Sequence, residues 1–157
     1  MAEKNYALEW YKYGLQKNDE AVVKFMMHWI AFNWLYSEFK HSSNTRESDA
    51  ITEYCKYEYE KLSRYDAFST PEIDIFLDKP VCDIRRGRIT EDGKSRFKTL
   101  RWGSGIDQLT SLLLTIYHVR CNLFHGSKSL REDRDIQLVR ASSIILEGYL
   151  RAVLQTK

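Results

Sequence analysis

Tyr117-His-Val-Arg-Cys-Asn-Leu-Phe-His-Gly-Ser-Lys128 is the stretch that decides the reading of this chain. Upstream of it, Leu109, Leu112, Leu113 and Ile116 mark one helical side, and Val119 and Leu123 within it continue the series at three- and four-residue spacing. That spacing predicts a helix over 106–124 with one buried side. Arg120 falls at the edge of the stripe, where a head group can emerge into a cleft. His125 follows five positions later, immediately before Gly126. On a continuous helix the two would lie ~140° apart. Gly126 predicts a helix end, and unwinding over Phe124–Gly126 would let His125 swing toward the side of Arg120. An arginine that keeps its charge beside an imidazole that titrates near neutrality suits phosphate chemistry. The plainer reading is that Arg120 decorates the carbonyl end of a helix and His125 is a partly buried terminal residue. Two residues away from Arg120, His118 is expected to point elsewhere.

Outward from this stretch the chain reads as helical. Ala2–Lys17 carries Tyr6, Trp10, Tyr13 and Leu15 as apolar surface. Asn18 and Asp19 are candidate caps for the next helix, in which Val22, Phe25, Trp29, Phe32 and Tyr36 form a core stripe, widened by Met26, Ile30 and Trp34. That helix is expected at the centre of the bundle, with His28 as a core or boundary residue. His41–Thr45 reads as a connection with Asn44 or Thr45 as a cap. A further helix over 46–66 places Ile51, Tyr54, Cys55, Leu62 and Tyr65 on one side, with Glu58 interrupting the stripe. After Gly126, Ser129-Leu-Arg-Glu132 matches a capping box. The last helix then presents a seam of Ile136, Val139, Ser143, Leu146, Leu150 and Val153, wide enough for a core and a partner helix.

The pattern breaks over 66–105, where both prolines fall. Pro71 predicts a short helical turn reaching Ile75 or Leu77. Thr90-Glu-Asp-Gly-Lys94 contains an Asp-Gly turn signal, which suggests a small hairpin. Arg85, Arg86, Arg88, Lys94, Arg96, Lys98 and Arg101 make this the most basic region of the chain. Such a loop either steers a phosphate backbone or is simply solvated surface.

The chain has 157 residues, 43% hydrophobic and 29% charged, which fits one globular domain with a sizeable core. The net charge of +2 neither demands nor excludes nucleic acid. Cys55, Cys82 and Cys121 form no close pair and no zinc spacing, so a reducing compartment fits. No secretory leader and no membrane-spanning run are read in the sequence, and a cytoplasmic location is expected. There is no Gly-rich phosphate loop, no His-Glu-x-x-His and no aspartate cluster, so a kinase, a zinc hydrolase and a two-metal nuclease lack their parts. Cys121 as a nucleophile is a weaker reading than Cys121 as a small apolar filler.

Val119-Arg-Cys-Asn-Leu-Phe-His-Gly-Ser-Lys128 with Arg134-Asp135, Trp29-Ile-Ala-Phe-Asn-Trp-Leu-Tyr36, and more weakly Lys79-Pro-Val-Cys-Asp-Ile84, resemble the HEPN superfamily. The resemblance runs over roughly the whole chain. It implies an all-α HEPN-like bundle of four to five main helices running up and down, in one domain over 1–157. N-terminal helices would cover 1–66, a basic loop or hairpin insertion 67–105, and the motif and C-terminal helices 106–154. It also implies a homodimer and metal-independent cleavage of RNA, with no cofactor. Arg120 and His125 then match the family's Arg-to-His motif. The position after the Arg, often Asn, Asp or His in active members, is Cys121 here, and Asn122 is the candidate for that polar role. Lys128, Arg85, Arg86 and Arg88 are the candidate RNA contacts. The ribose 2′-hydroxyl would attack the adjacent phosphate, His125 would move the proton and Arg120 would stabilise the phosphorane. A two-fold dimer would bring two copies of the motif together. A toxin or phage-defence effector held silent by a cognate antitoxin is one setting for such an activity. The alternative is a non-catalytic HEPN module that binds a nucleotide, RNA or a protein.

Overall fold

The computed structural model describes residues 2–15, 20–83, 86–125 and 133–155, excluding the side chains of 2–5, 13, 125 and 133. Among the described residues the secondary structure is helical and there is no strand, only an isolated bridge between Asp83 and Arg88. Eight α-helices are described: α1 (Ala2–Leu15), α2 (Ala21–Tyr36), α3 (Glu47–Tyr57), α4 (Tyr59–Leu62), α5 (Asp74–Asp78), α6 (Glu91–Trp102), α7 (Gly105–His125) and α8 (Asp133–Leu154). No helix among them is long and apolar enough to cross a membrane.

The aromatic spacing on α2 explains its place. Phe25, Trp29, Phe32 and Tyr36 are all buried, and α2 packs against α1 on one side and α8 on another. Trp29 meets Phe32 at 5.2 Å and Tyr36 at 6.0 Å edge-on, and stacks on Tyr117 of α7 at 5.9 Å. Such pairs add roughly 0.5–1.5 kcal/mol each beyond their buried area. Ile30 and Trp34, expected to broaden the core, stay partly exposed, and Trp34 meets Tyr6 of α1 at 5.4 Å. His28 is fully buried, as expected of a core histidine.

Glu58 does interrupt the third helical stretch: α3 ends at Tyr57 and α4 is a single turn ending at Leu62, short of the expected 66. The cap differs from expectation. Arg46, not Asn44 or Thr45, sits at the N-cap of α3, and Thr45 Oγ1 instead accepts from the Ser42 N–H at 3.2 Å within the connection. Asn18, Asp19 and the Ser129–Glu132 capping box lie outside the described residues. Pro71 opens a 3₁₀ turn (Pro71–Ile73) that leads into α5, as its position predicts.

The expected hairpin around Asp92-Gly93 is overturned, because that segment is α6. Thr90 caps it, its Oγ1 accepting from the Gly93 N–H at 3.1 Å, and Glu91 and Asp92 occupy the first turn, where carboxylates favour the helix dipole. Leu100 is buried, Phe97 is half-buried, and α6 packs on α7, so a period near 3.6 outweighs the turn signal. The basic region is therefore in large part a helix, not a loop.

Candidate nucleic-acid interface at the end of the seventh helix

Leu109, Leu112, Leu113, Ile116 and Val119 bury one side of α7 and so fix where the following residues face. Arg120 emerges half-buried at the edge of this stripe. Its guanidinium lies 4.4 Å from the ring centre of Phe124 and 5.9 Å from that of Trp29. Nη1 donates to Cys121 Sγ at 3.9 Å, and the buried Nε–H has no hydrogen-bond acceptor among the described residues. No described carboxylate forms an ion pair with Arg120. Two tyrosines feel its charge. Burial first, then its hydrogen bond to Glu47, pushes the Tyr36 hydroxyl far above the usual range. Burial first, then its hydrogen bond to Cys121, does the same for Tyr117. Both therefore stay protonated, and neither supplies a phenolate to neutralise the arginine. The result is a partly desolvated cation held in place by aromatic faces, an arrangement that favours an incoming anion.

The helix continues through His125, so the unwinding expected over Phe124–Gly126 does not occur at Phe124 or His125. Gly126 and the side chain of His125 lie outside the described residues. The apolar contacts of the α7 stripe carry the helix to this point, and the backbone directions of Arg120 and His125 stay ~140° apart within one chain.

Asn122 is on a different side from Arg120. Its Nδ2 donates to the Cys82 carbonyl at 2.8 Å, which ties α7 to the segment before α6. There a cleft of about 230 Å³ opens, with Tyr117, His118, Cys121 and Asn122 of α7 on one wall. Asp83, Arg86, Thr90, Asp92 and Arg96 supply the rest of its lining. Arg86 is exposed and approaches the Asp83 carboxylate at 3.9 Å. Arg88 is exposed, its carbonyl accepting from Asp83 N–H at 2.8 Å, and Gly87 turns the chain between them at φ +66°. Arg85 and Lys128 lie outside the described residues. Thus Arg86 and Asn122 come together around one cleft, and Arg120 adjoins it through Cys121. His118, expected to point away from Arg120, and Arg96, counted only as part of the basic region, line the cleft and were not among the candidate site residues. The i, i+4 spacing of His118 and Asn122 could have found the first, and a helical reading of Thr90–Trp102 the second.

Among the described residues no three His, Cys, Asp or Glu side chains converge to hold a metal ion. Compared with family models, curated proteins and solved structures, the chain gives no significant match.

Proposed function

We propose that the chain is a HEPN-type ribonuclease that cuts RNA without a metal, at a site shared by two copies of the chain. The reading rests on Arg120, a half-buried guanidinium with an unfilled donor, aromatic walls and no described carboxylate in ion-pair contact with it. A phosphate entering there gains a charged, directional partner, and the extra charge of a phosphorane gains more. His125 is the proton-transfer group. Because α7 is helical through His125, the pair that meets one phosphate is Arg120 of one copy and His125 of a second. Phe124, 53% exposed beside Arg120, offers apolar surface for that contact. The nucleophile is the ribose 2′-hydroxyl, so the products carry 2′,3′-cyclic phosphate and 5′-hydroxyl ends, and DNA is resistant. Arg86 and Arg88 contact the strand beyond the cut, and a cognate antitoxin is a fitting regulator.

A second reading, a binding module without catalysis, draws on Cys121 and Asn122. The side chain beside Arg120 is a thiol, and the amide that follows is committed to the Cys82 carbonyl. One assay separates the two. Purified protein, Arg120→Ala and His125→Ala are each given a labelled structured RNA and its DNA counterpart in EDTA. The ribonuclease reading expects RNA cutting by the wild type alone, with cyclic-phosphate ends. An intact RNA that is nevertheless bound by the wild type supports the binding module.

A further inference from the structure

We propose that the cleft between α6 and α7 is a subsite for one nucleotide of the RNA strand, next to the cleaved bond, with its phosphate held by Arg96. The inference rests on the ribonuclease reading for the identity of the strand, and on the cleft itself for the site.

Arg96 is set apart by what its neighbours already do. Arg101 donates to the Leu77 carbonyl at 2.8 Å, and Arg134 to the Lys79 carbonyl at 2.8 Å. Arg86 faces the Asp83 carboxylate, which also accepts its main-chain N–H at 3.3 Å. Arg96 is half-buried in the cleft wall and makes no hydrogen bond or ion pair among the described residues. A guanidinium drawn partly out of water without an acceptor carries an uncompensated desolvation cost. Two phosphate oxygens match its fork, and the bond is charge-assisted.

The remaining walls suit a base, not a second phosphate. Thr90 and Asp92 line it with a hydroxyl and a carboxylate that can meet a base edge, and Tyr117, whose ring stacks on Trp29, lines the α7 wall. Unpaired RNA bases are read in this way, by edge hydrogen bonds and by stacking on aromatic side chains. At about 230 Å³ the cleft is smaller than most ligand pockets, and so has room for one nucleotide unit. It is also continuous with the proposed reaction centre, since Cys121 lines it while its Sγ lies 3.9 Å from Arg120 Nη1. A strand seated at Arg120 has this cleft as its neighbouring position.

The test uses a labelled 2′-O-methyl pentanucleotide, which lacks the nucleophile, so that fluorescence anisotropy reads binding without cleavage. Arg96→Gln is expected to weaken binding about ten-fold. The slope of log affinity against log salt should shrink by about 0.7, one phosphate contact on a single strand. Arg96→Lys should keep the salt slope. Arg140→Gln, at an exposed arginine of α8 that does not line the cleft, should bind as the wild type. Circular dichroism checks that each variant is folded. The inference is overturned if the wild type does not bind, if Arg96→Gln binds normally, or if Arg140→Gln weakens binding equally. It is also overturned if a free mononucleotide competes with the same affinity as the oligomer, which would assign the cleft to a free nucleotide. Running the ribose oligomer in parallel separates the two proposals. Arg96-dependent binding without cutting removes the ribonuclease and leaves the cleft, whereas cutting indifferent to Arg96→Gln does the reverse.

Discussion

Burial holds the His28 imidazole at a pKa of about 4, below the usual 6.5, with Glu147 and the Tyr11 carbonyl acting the other way and Lys24 adding to the fall. Its Nε2–H donates to the Tyr11 carbonyl at 3.2 Å, so Nδ1 is the unprotonated nitrogen, and it is buried without a partner among the described residues. A depressed pKa means that the unfolded chain takes up the proton first as pH falls. The stability His28 contributes is complete above about 6.5 and is lost progressively down to about 4, a span worth roughly 3 kcal/mol. Urea titrations of the wild type should therefore lose about 1.4 kcal/mol per pH unit between pH 6 and 5 beyond those of His28→Gln. Parallel curves for the two proteins would refute the assignment. The burial of His28 was legible in the sequence, because it sits inside an aromatic stripe with 3.6-residue spacing. The tyrosine hydroxyls raised around Arg120 were not, because Tyr36, Glu47 and Tyr117 are far apart in the chain and meet only through packing.

At the scale of elements, two glycines record close approaches, one between α1 and α2 and one between α8 and the bend after α4. A Cβ on Gly14 would lie 2.4 Å from His28 Nε2, and one on Gly148 would lie 2.2 Å from the Tyr65 ring. Gly14→Ala and Gly148→Ala should each destabilise the fold by about 2 kcal/mol through overpacking, measured by chemical denaturation. The expectation fails if either gains stability, as alanine in an unhindered helix would. Thr90→Ala should cost about 1 kcal/mol, since it removes the cap of α6. This helix is where sequence reasoning went astray. Asp92-Gly93 has the composition of a hairpin turn, but Thr90 three residues before Gly93 and Phe97 and Leu100 beyond it are the features that the fold uses. Helices α2, α7 and α8 were legible because each carries a long apolar period. Helix α6 is short and strongly basic, so its buried side rests on few residues.

For the whole molecule, α2 and α8 are joined by an ion pair, Lys24 Nζ to Glu147 Oε1 at 3.0 Å, with both side chains 14% exposed. Glu147→Gln removes the carboxylate that meets this ammonium and that also faces Arg151 Nη2 at 3.9 Å, and should lower stability by about 2 kcal/mol, checked by thermal or urea unfolding. A change below a few tenths of a kcal/mol would mean that water already screens the pair. The candidate site was only half legible at this scale. The sequence marked Arg120 and His125, but the continuation of α7 past Phe124 turns their backbones apart, and that follows from apolar packing of α7 rather than from the local Gly126 signal. A site shared between two copies accommodates both facts. The most direct test mixes two inactive variants, Arg120→Ala and His125→Ala, unfolded and refolded together, and assays RNA cleavage in EDTA. Each variant alone should be inert. The mixture should recover about a quarter of wild-type activity, because half of the dimers are mixed and each of these keeps one intact Arg120–His125 pair across the interface. Activity retained by either variant alone, or none recovered in a co-refolded mixture whose proteins are folded, would contradict the account.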